Sequence, residues 1–195
     1  MDKILAQLAS VLRIVAATII VCCVVYTALV LATAQALMPD TANGSLVKDS
    51  SGRVIGSALI AQKFTREAYF WPRPSAADYD ASKSGGSNLG VANPELKKRA
   101  IEIVARYHAS IDNPVPADLC AASGSGLDPH ITVRAALFQA GRIAKARSIS
   151  MDTVKQVLNM HAVNPGGIFS SGAVVNVLQA NIELDRISGG ERFKK

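Results

Sequence analysis

Apolar and polar positions follow three different patterns along this chain, and the longest has no polar position to set a period. From Ile14 to Met38, IVAATIIVCCVVYTALVLATAQALM, twenty-five consecutive residues carry no charge. At about 1.5 Å of rise per residue they make a helix of roughly 37 Å, enough to cross a ~30 Å hydrocarbon layer with some tilt. Arg13 bounds the stretch on one side and Pro39-Asp40 breaks it on the other. A second pattern is β-favourable: SLVKDSSGRVIGSALIAQKF, from Ser45, places Leu46-Val47 and Val54 to Ile60 around Asp49-Ser50-Ser51-Gly52, which predicts a hairpin. The third is the three-and-four spacing of amphipathic helices.

Three helices are predicted from that spacing, and a fourth segment leaves two readings. Asn93-Pro94-Glu95 starts a helix with Leu96, Ala100, Ile103, Val104 and Tyr107 on one face, ending before Asn113-Pro114. Asp128-Pro129 is read as the cap of a second, with Val133, Leu137, Ala140 and Ala144 inward. Ser150 caps a third with Met151, Val154, Val157 and Leu158 inward, ended by Asn164-Pro165-Gly166-Gly167. In VVNVLQANIELD, Val174 to Asp185, Val174, Val177, Leu178 and Asn181 share one helical side, while the β-branched start leaves a strand open. The fold class expected is α+β: one N-terminal membrane helix followed by one mixed domain with a hairpin and three or four helices. The boundaries are 1–13 flank, 14–38 span, 39–44 linker, 45–187 extracytoplasmic domain and 188–195 basic tail.

Composition narrows the function classes. The 157 residues beyond the span suffice for one domain with its own core. The 21 Lys and Arg against 15 Asp and Glu give +6, spread along helical patterns and not gathered into a block, which argues against nucleic acid. Cys22 and Cys23 lie in the span, leaving Cys120 alone in the domain without an intramolecular partner and read as buried and inert. Ala34-Gln35-Ala36 has the small-x-small form of a cleavage site, but the apolar run far exceeds the about 7–15 residues of a signal peptide, so retention is favoured. Lys3 and Arg13 precede the span and no basic residue follows until Lys48, which places the N-terminus in the cytoplasm and the domain outside.

Chemistry-bearing motifs are sparse. In Tyr69 to Tyr79, YFWPRPSAADY, three adjacent aromatics meet Pro72 and Pro74; the segment either packs against the core, the favoured reading, or presents rigid aromatics to a partner. SKSGGSNLG, Ser82 to Gly90, lacks the Lys that a P-loop requires. The small-residue loop Ala122 to Gly126 runs into Asp128-Pro129, an anion-binding geometry unless Asp128 fills the place with its own charge, which is the preferred reading. His108 is read as capping or surface-lying, and His130 has no identifiable triad partner. No metal set is read from the spacing.

Several segments, in order, resemble one family, the C subunit of the bacterial Kdp potassium-transporting ATPases. They are the single span, GSALIAQKF with YFWPRPSAADY, SGGSNLGVANPEL, VPADLCAASGSGLDPHIT leading into AALFQAGRIAKAR, and VVNVLQANIELD. Tyr26-Thr27 departs from the family's frequent Tyr-Pro, Cys120 replaces an aliphatic residue, and Ser171-Gly172-Ala173-Val174 replaces a Gly-Glu-Pro-Arg-like turn. The resemblance implies an accessory, non-hydrolytic subunit of an inner-membrane complex whose other chains supply the potassium pathway and the ATPase. It also implies a catalytic chaperone that raises the ATPase subunit's affinity for ATP, with no tightly bound cofactor of its own. A glutamine is implicated in nucleotide contact, for which Gln139 is the candidate. The interface candidates are Tyr69, Phe70, Trp71, Arg73, Ser123, Gly124, Ser125, Gly126, Asp128 and His130. The competing reading is an independent membrane-anchored or secreted binding protein.

Overall fold

A computed structural model describes residues 2–49, 51–167 and 172–188. The chain divides into two compact units, Met1–Leu46 and Val47–Lys195. In the first, helix α1 (Asp2–Ile19) runs through a π-helical stretch (Ile20–Val25) into α2 (Tyr26–Leu37). Tyr26 N–H reaches back to Val21 O, the i→i−5 bond of a π turn. Lys3–Leu37 is long and apolar enough to cross a membrane, with mean hydropathy 2.8 over its most apolar window. The hydroxyls of Thr18 and Thr33 bond to Ile14 O and Leu29 O one turn back, so neither brings an unmet polar atom to lipid. The unburied helix carries no charge from Ile14 to Leu37, a composition that suits a bilayer and points to membrane anchoring. Pro39 then opens the single-turn α3 (Pro39–Ala42), within the segment expected to be a linker.

The expected hairpin, β1 (Leu46–Lys48) and β2 (Val54–Ser57), starts at the last residue of the first unit and opens the second. Asp49 Oδ1 accepts from the Ser51 and Arg53 backbone N–H groups at 2.9 and 3.0 Å, which fixes the turn. A long stretch without helix or strand leads to α4 (Pro94–Arg106) and the short α5 (Ala117–Cys120), which the spacing did not reveal. After them come β3 (His130–Thr132), α6 (Val133–Arg147), α7 (Met151–His161), β4 (Ala162–Val163), β5 (Val174–Asn176) and α8 (Val177–Ile187). The second sheet is antiparallel in the order β3-β5-β4, with Ile131 opposite Val175. The ambiguous last segment is therefore both things, a three-residue strand continuing directly into a helix.

The core is built from α6, α7, α8 and β5, with Ile143, Val154, Val157, Leu158, Val175 and Leu184 at 1% exposure or less. Three expectations are corrected here. The helix expected from Asp128-Pro129 starts later, at Thr132, whose side chain accepts from Ala135 N–H; the β-branched run after His130 pairs with β5 instead. Its buried face is Ala135, Ala136, Gln139, Ala140 and Ile143, leaving Leu137 40% exposed, because small residues let neighbouring elements approach more closely than the larger apolar stripe would. In α7, Ser150 caps as expected, accepting from Thr153 N–H, but Met151 in the first turn points to solvent. The turn at 171–174 begins, and the tail at 188–195 mostly lies, outside the described residues.

Candidate functional site

Tyr69, Phe70 and Trp71 are buried, at 3%, 0% and 2% exposure, so in this chain they pack and do not present themselves. They belong to a segment with no strand beside it among the described residues, yet its buried backbone groups must be paired. Side chains from α6 and α8 do this. Gln139 Oε1 accepts from Trp71 N–H at 2.8 Å and Gln139 Nε2 donates to Trp71 O at 3.1 Å. Asn181 does the same for Phe70, at 2.8 and 3.0 Å. Arg142 donates to Tyr69 O at 3.0 Å and to Glu67 O, and Arg147 Nε to Ala68 O at 2.6 Å. Two amides and two guanidiniums thus replace a neighbouring strand along residues 67–71.

Charge is organised around the same segment. The guanidiniums of Arg106 and Arg142 lie 3.8 and 3.7 Å from the centroid of the Trp71 ring, and Tyr107 packs on that ring at 5.2 Å. Arg147 pairs with Asp185 at 2.7 Å, and Asp185 accepts from Tyr69 OH at 2.9 Å. Burial lowers the Arg142 pKa to about 10 despite the opposing charge of Glu67. Burial also raises the Tyr69 hydroxyl, with Asp185 adding to the shift. Gln139, the candidate for nucleotide contact, is 1% exposed, and its amide oxygen also accepts from Arg142 at 2.8 Å. The arrangement gives it a positioning role for Trp71. The signal for this lies in the phase of α6, whose Ala135, Ala136, Ala140 and Ile143 stripe carries this one polar residue into the core.

The remaining candidates lie where two glycine-rich loops are laced together. Arg73 forms an ion pair with Asp128 at 3.0 Å, while Asp128 Oδ1 accepts from His130 N–H at 2.9 Å. Asp128 therefore spends its charge on Arg73 and not on a helix end. Ser75 Oγ donates to Gly126 O at 2.6 Å, Ser123 N–H to Pro74 O at 3.1 Å, and Gly85 N–H to Ser125 O at 2.8 Å. Tyr79 OH donates to Arg73 O at 2.9 Å, and burial pushes its pKa up to about 12. Ser123 and Gly126 are buried in this join; Arg73, Asp128 and His130 are half-buried; Gly124 and Ser125 stand exposed beside Ser84. Cys120 is half-buried, and burial followed by the nearby Asp118 charge raises its thiol pKa, which suppresses the reactive thiolate. Among the described residues no group of three or more His, Cys, Asp or Glu is placed to hold a metal. A cleft of about 480 Å³ is lined by Pro116, Asp118, Thr132, Arg134 and Ala173, but Asp118 already accepts there from Thr132 N–H.

Such a chain is defined as a class by one apolar membrane helix and a separate α+β unit whose polar side chains fix an aromatic segment and a pair of loops. Residues 8–186 match the family described as KdpC: K+-transporting ATPase, c chain. The chain belongs to this family. It is 49% identical over 176 residues to the potassium-transporting ATPase KdpC subunit of Parvibaculum lavamentivorans, covering 90% of this chain and 94% of that protein. The subunits of the same name from Geotalea uraniireducens and Synechocystis are each 46% identical, covering 87% and 89% of this chain and 92% and 95% of theirs.

Proposed function

We propose that this chain is the accessory, non-hydrolytic subunit of an ATP-driven high-affinity potassium uptake complex. It assembles with the ion-translocating and ATPase subunits of the inner membrane and raises the ATPase subunit's affinity for ATP without touching the nucleotide. Membership of the KdpC family supports the assembly role. One observation carries the indirect mechanism: both ends of the Gln139 amide are engaged by the Trp71 backbone, so the side chain has no free hydrogen-bonding end to offer ATP. The basic flank of the apolar helix, Lys3 and Arg13, supports an N-terminus in the cytoplasm, with the domain across the bilayer from ATP. A change in ATP affinity then arises as a coupling free energy, through tighter binding of this subunit to one state of the transporter.

Two measurements test this reading. Full-length chain, gently solubilised after co-expression with the other subunits, co-purifies with them; isolation of the chain alone would favour an independent binding protein. Sidedness is read by an impermeant thiol reagent on intact spheroplasts. Ser84→Cys, in a background with all three native cysteines replaced, is the reporter, because Ser84 is exposed whereas the Cys120 thiol is half-buried. Labelling of intact spheroplasts is expected. Labelling only after lysis would place the domain on the side of the nucleotide and remove the bilayer as a ground for the indirect mechanism, leaving only the engaged Gln139 amide against direct contact.

A further inference from the structure

Helix α4 has two apolar faces, and only one is used. Ile103 is buried against the rest of the unit, with Leu96 and Tyr107 half-buried beside it, whereas Ile101 and Val104 are 60% and 45% exposed. On a helical wheel Val104, Lys97, Ile101, Ala105 and Lys98 occupy one arc of about 120° whose centre, near Ile101, points away from Ile103; Val104, expected from the spacing to share the inner face, lies at the arc's edge and is exposed instead. The acids Glu95 and Glu102 lie outside that arc. Four basic and two acidic side chains leave the helix positive. Among the described residues Lys97 and Lys98 have no acidic partner, while Lys63, Lys83 and Lys155 each have one. Val91, three residues before the helix, and Ile111, five after it, are fully or almost fully exposed.

We propose that this outer face of α4 docks on an anionic lipid surface. A protein partner would fit it less well: lysine is depleted at the centres of protein interfaces and aromatic residues are enriched, yet the arc contains two lysines and no aromatic. Lysines bordering branched aliphatic side chains suit the lipid boundary, where their stems cover apolar surface and their ammonium groups reach phosphate. The chain already carries a membrane helix, joined to Val47 by only a short connection after Leu37. That tether keeps lipid at high effective concentration, so a small face is sufficient for docking. The inference goes beyond the proposed role in transport and does not require it.

The test uses the full chain in nanodiscs, with the native cysteines replaced and a single Ile101→Cys carrying an environment-sensitive dye. In phosphatidylglycerol-containing discs its emission is expected to shift to the blue and to be quenched by lipid-borne nitroxide. Phosphatidylcholine discs, high salt, or Lys97→Glu with Lys98→Glu should each weaken docking, the double charge reversal by at least about tenfold. A dye at Gln156→Cys, exposed on α7, serves as the undocked reference. Because both lysines are solvent-exposed, the reversed variant should retain native helical dichroism; Val104→Ser gives a second variant that weakens the apolar part alone. An Ile101 dye that stays aqueous in both lipids would overturn the proposal. So would quenching indifferent to lipid charge, or shielding that develops only when the other transporter subunits are added, which would assign the face to protein.

Discussion

Gln139 and Asn181 show how much one amide can do when it lies in an apolar helical stripe. Each faces a single residue of the 67–71 segment and supplies both the donor and the acceptor that a neighbouring strand would have offered. Replacing Gln139 by Leu should leave the Trp71 N–H and C=O buried without partners and cost roughly 2–5 kcal/mol. Denaturant unfolding of the full chain in detergent measures this, and a loss below about 1 kcal/mol would show that the segment does not depend on the amide. Tyr79 gives a prediction of opposite character, in pH. Its pKa in the fold, about 12, lies above the unfolded value near 10. The protonated phenol therefore stabilises the fold fully below about pH 10, and that contribution, about 2–3 kcal/mol, is lost as pH rises through 12. Tyr69 and Tyr107 are shifted in the same direction, so the comparison must be with Tyr79→Phe. The stability gap between the two proteins should close between about pH 10 and pH 12; a constant gap would refute the assignment.

At the scale of elements, the sequence was most legible where a local signal decides the structure. The Asn93 and Ser150 caps and the Asp49 turn act within a few residues and appear where they were expected, whereas the helix of the uncharged run does not stop at Arg13 but begins at Asp2. Asp128-Pro129 misled because a good local cap lost to a tertiary pairing, β3 with β5, whose partners lie more than forty residues apart. The phase of α6 misled for a related reason, since an alanine-rich helix offers two plausible inner faces and only its neighbours choose between them. The join of the two loops was invisible in the sequence, although its glycines were not. Gly126 has φ +71°, and a Cβ there would lie 2.9 Å from Gly85 O and 3.0 Å from Ala77 Cβ. Gly126→Ala should therefore destabilise the unit by about 1–3 kcal/mol. Gly124→Ala, two residues away, would place its Cβ in open space and should change stability by less than about 1 kcal/mol. Equal thermal midpoints for the two variants would mean that the join carries no strain-sensitive packing.

For the whole molecule, the question is whether the unit beyond the anchor folds without lipid or partners. Its pairing is long in sequence: Trp71 is held by Gln139, Phe70 by Asn181, and Tyr69 by Asp185 at a separation of 116 residues. The aromatic segment cannot be ordered until α6 and α8 are in place, and those helices would expose buried amides without it. Such mutual dependence makes folding cooperative across the unit. Its central core residues, Ile143, Val154 and Leu184, are enclosed by the unit's own elements, whereas the apolar residues of Lys3–Leu37 are not. Deleting Asp2 to Met38 should accordingly give a soluble protein with helical dichroism, one cooperative thermal transition and coincident unfolding by dichroism and Trp71 fluorescence. The single tryptophan is a sensitive reporter, because Arg106 and Arg142 lie against its ring and leave it when the 67–71 segment is released. A truncated chain that kept its helical signal but unfolded without a cooperative step would show that partner subunits complete the core. Loss of the fluorescence signal well before the dichroism would locate the gap specifically in the segment that α6 and α8 are expected to hold.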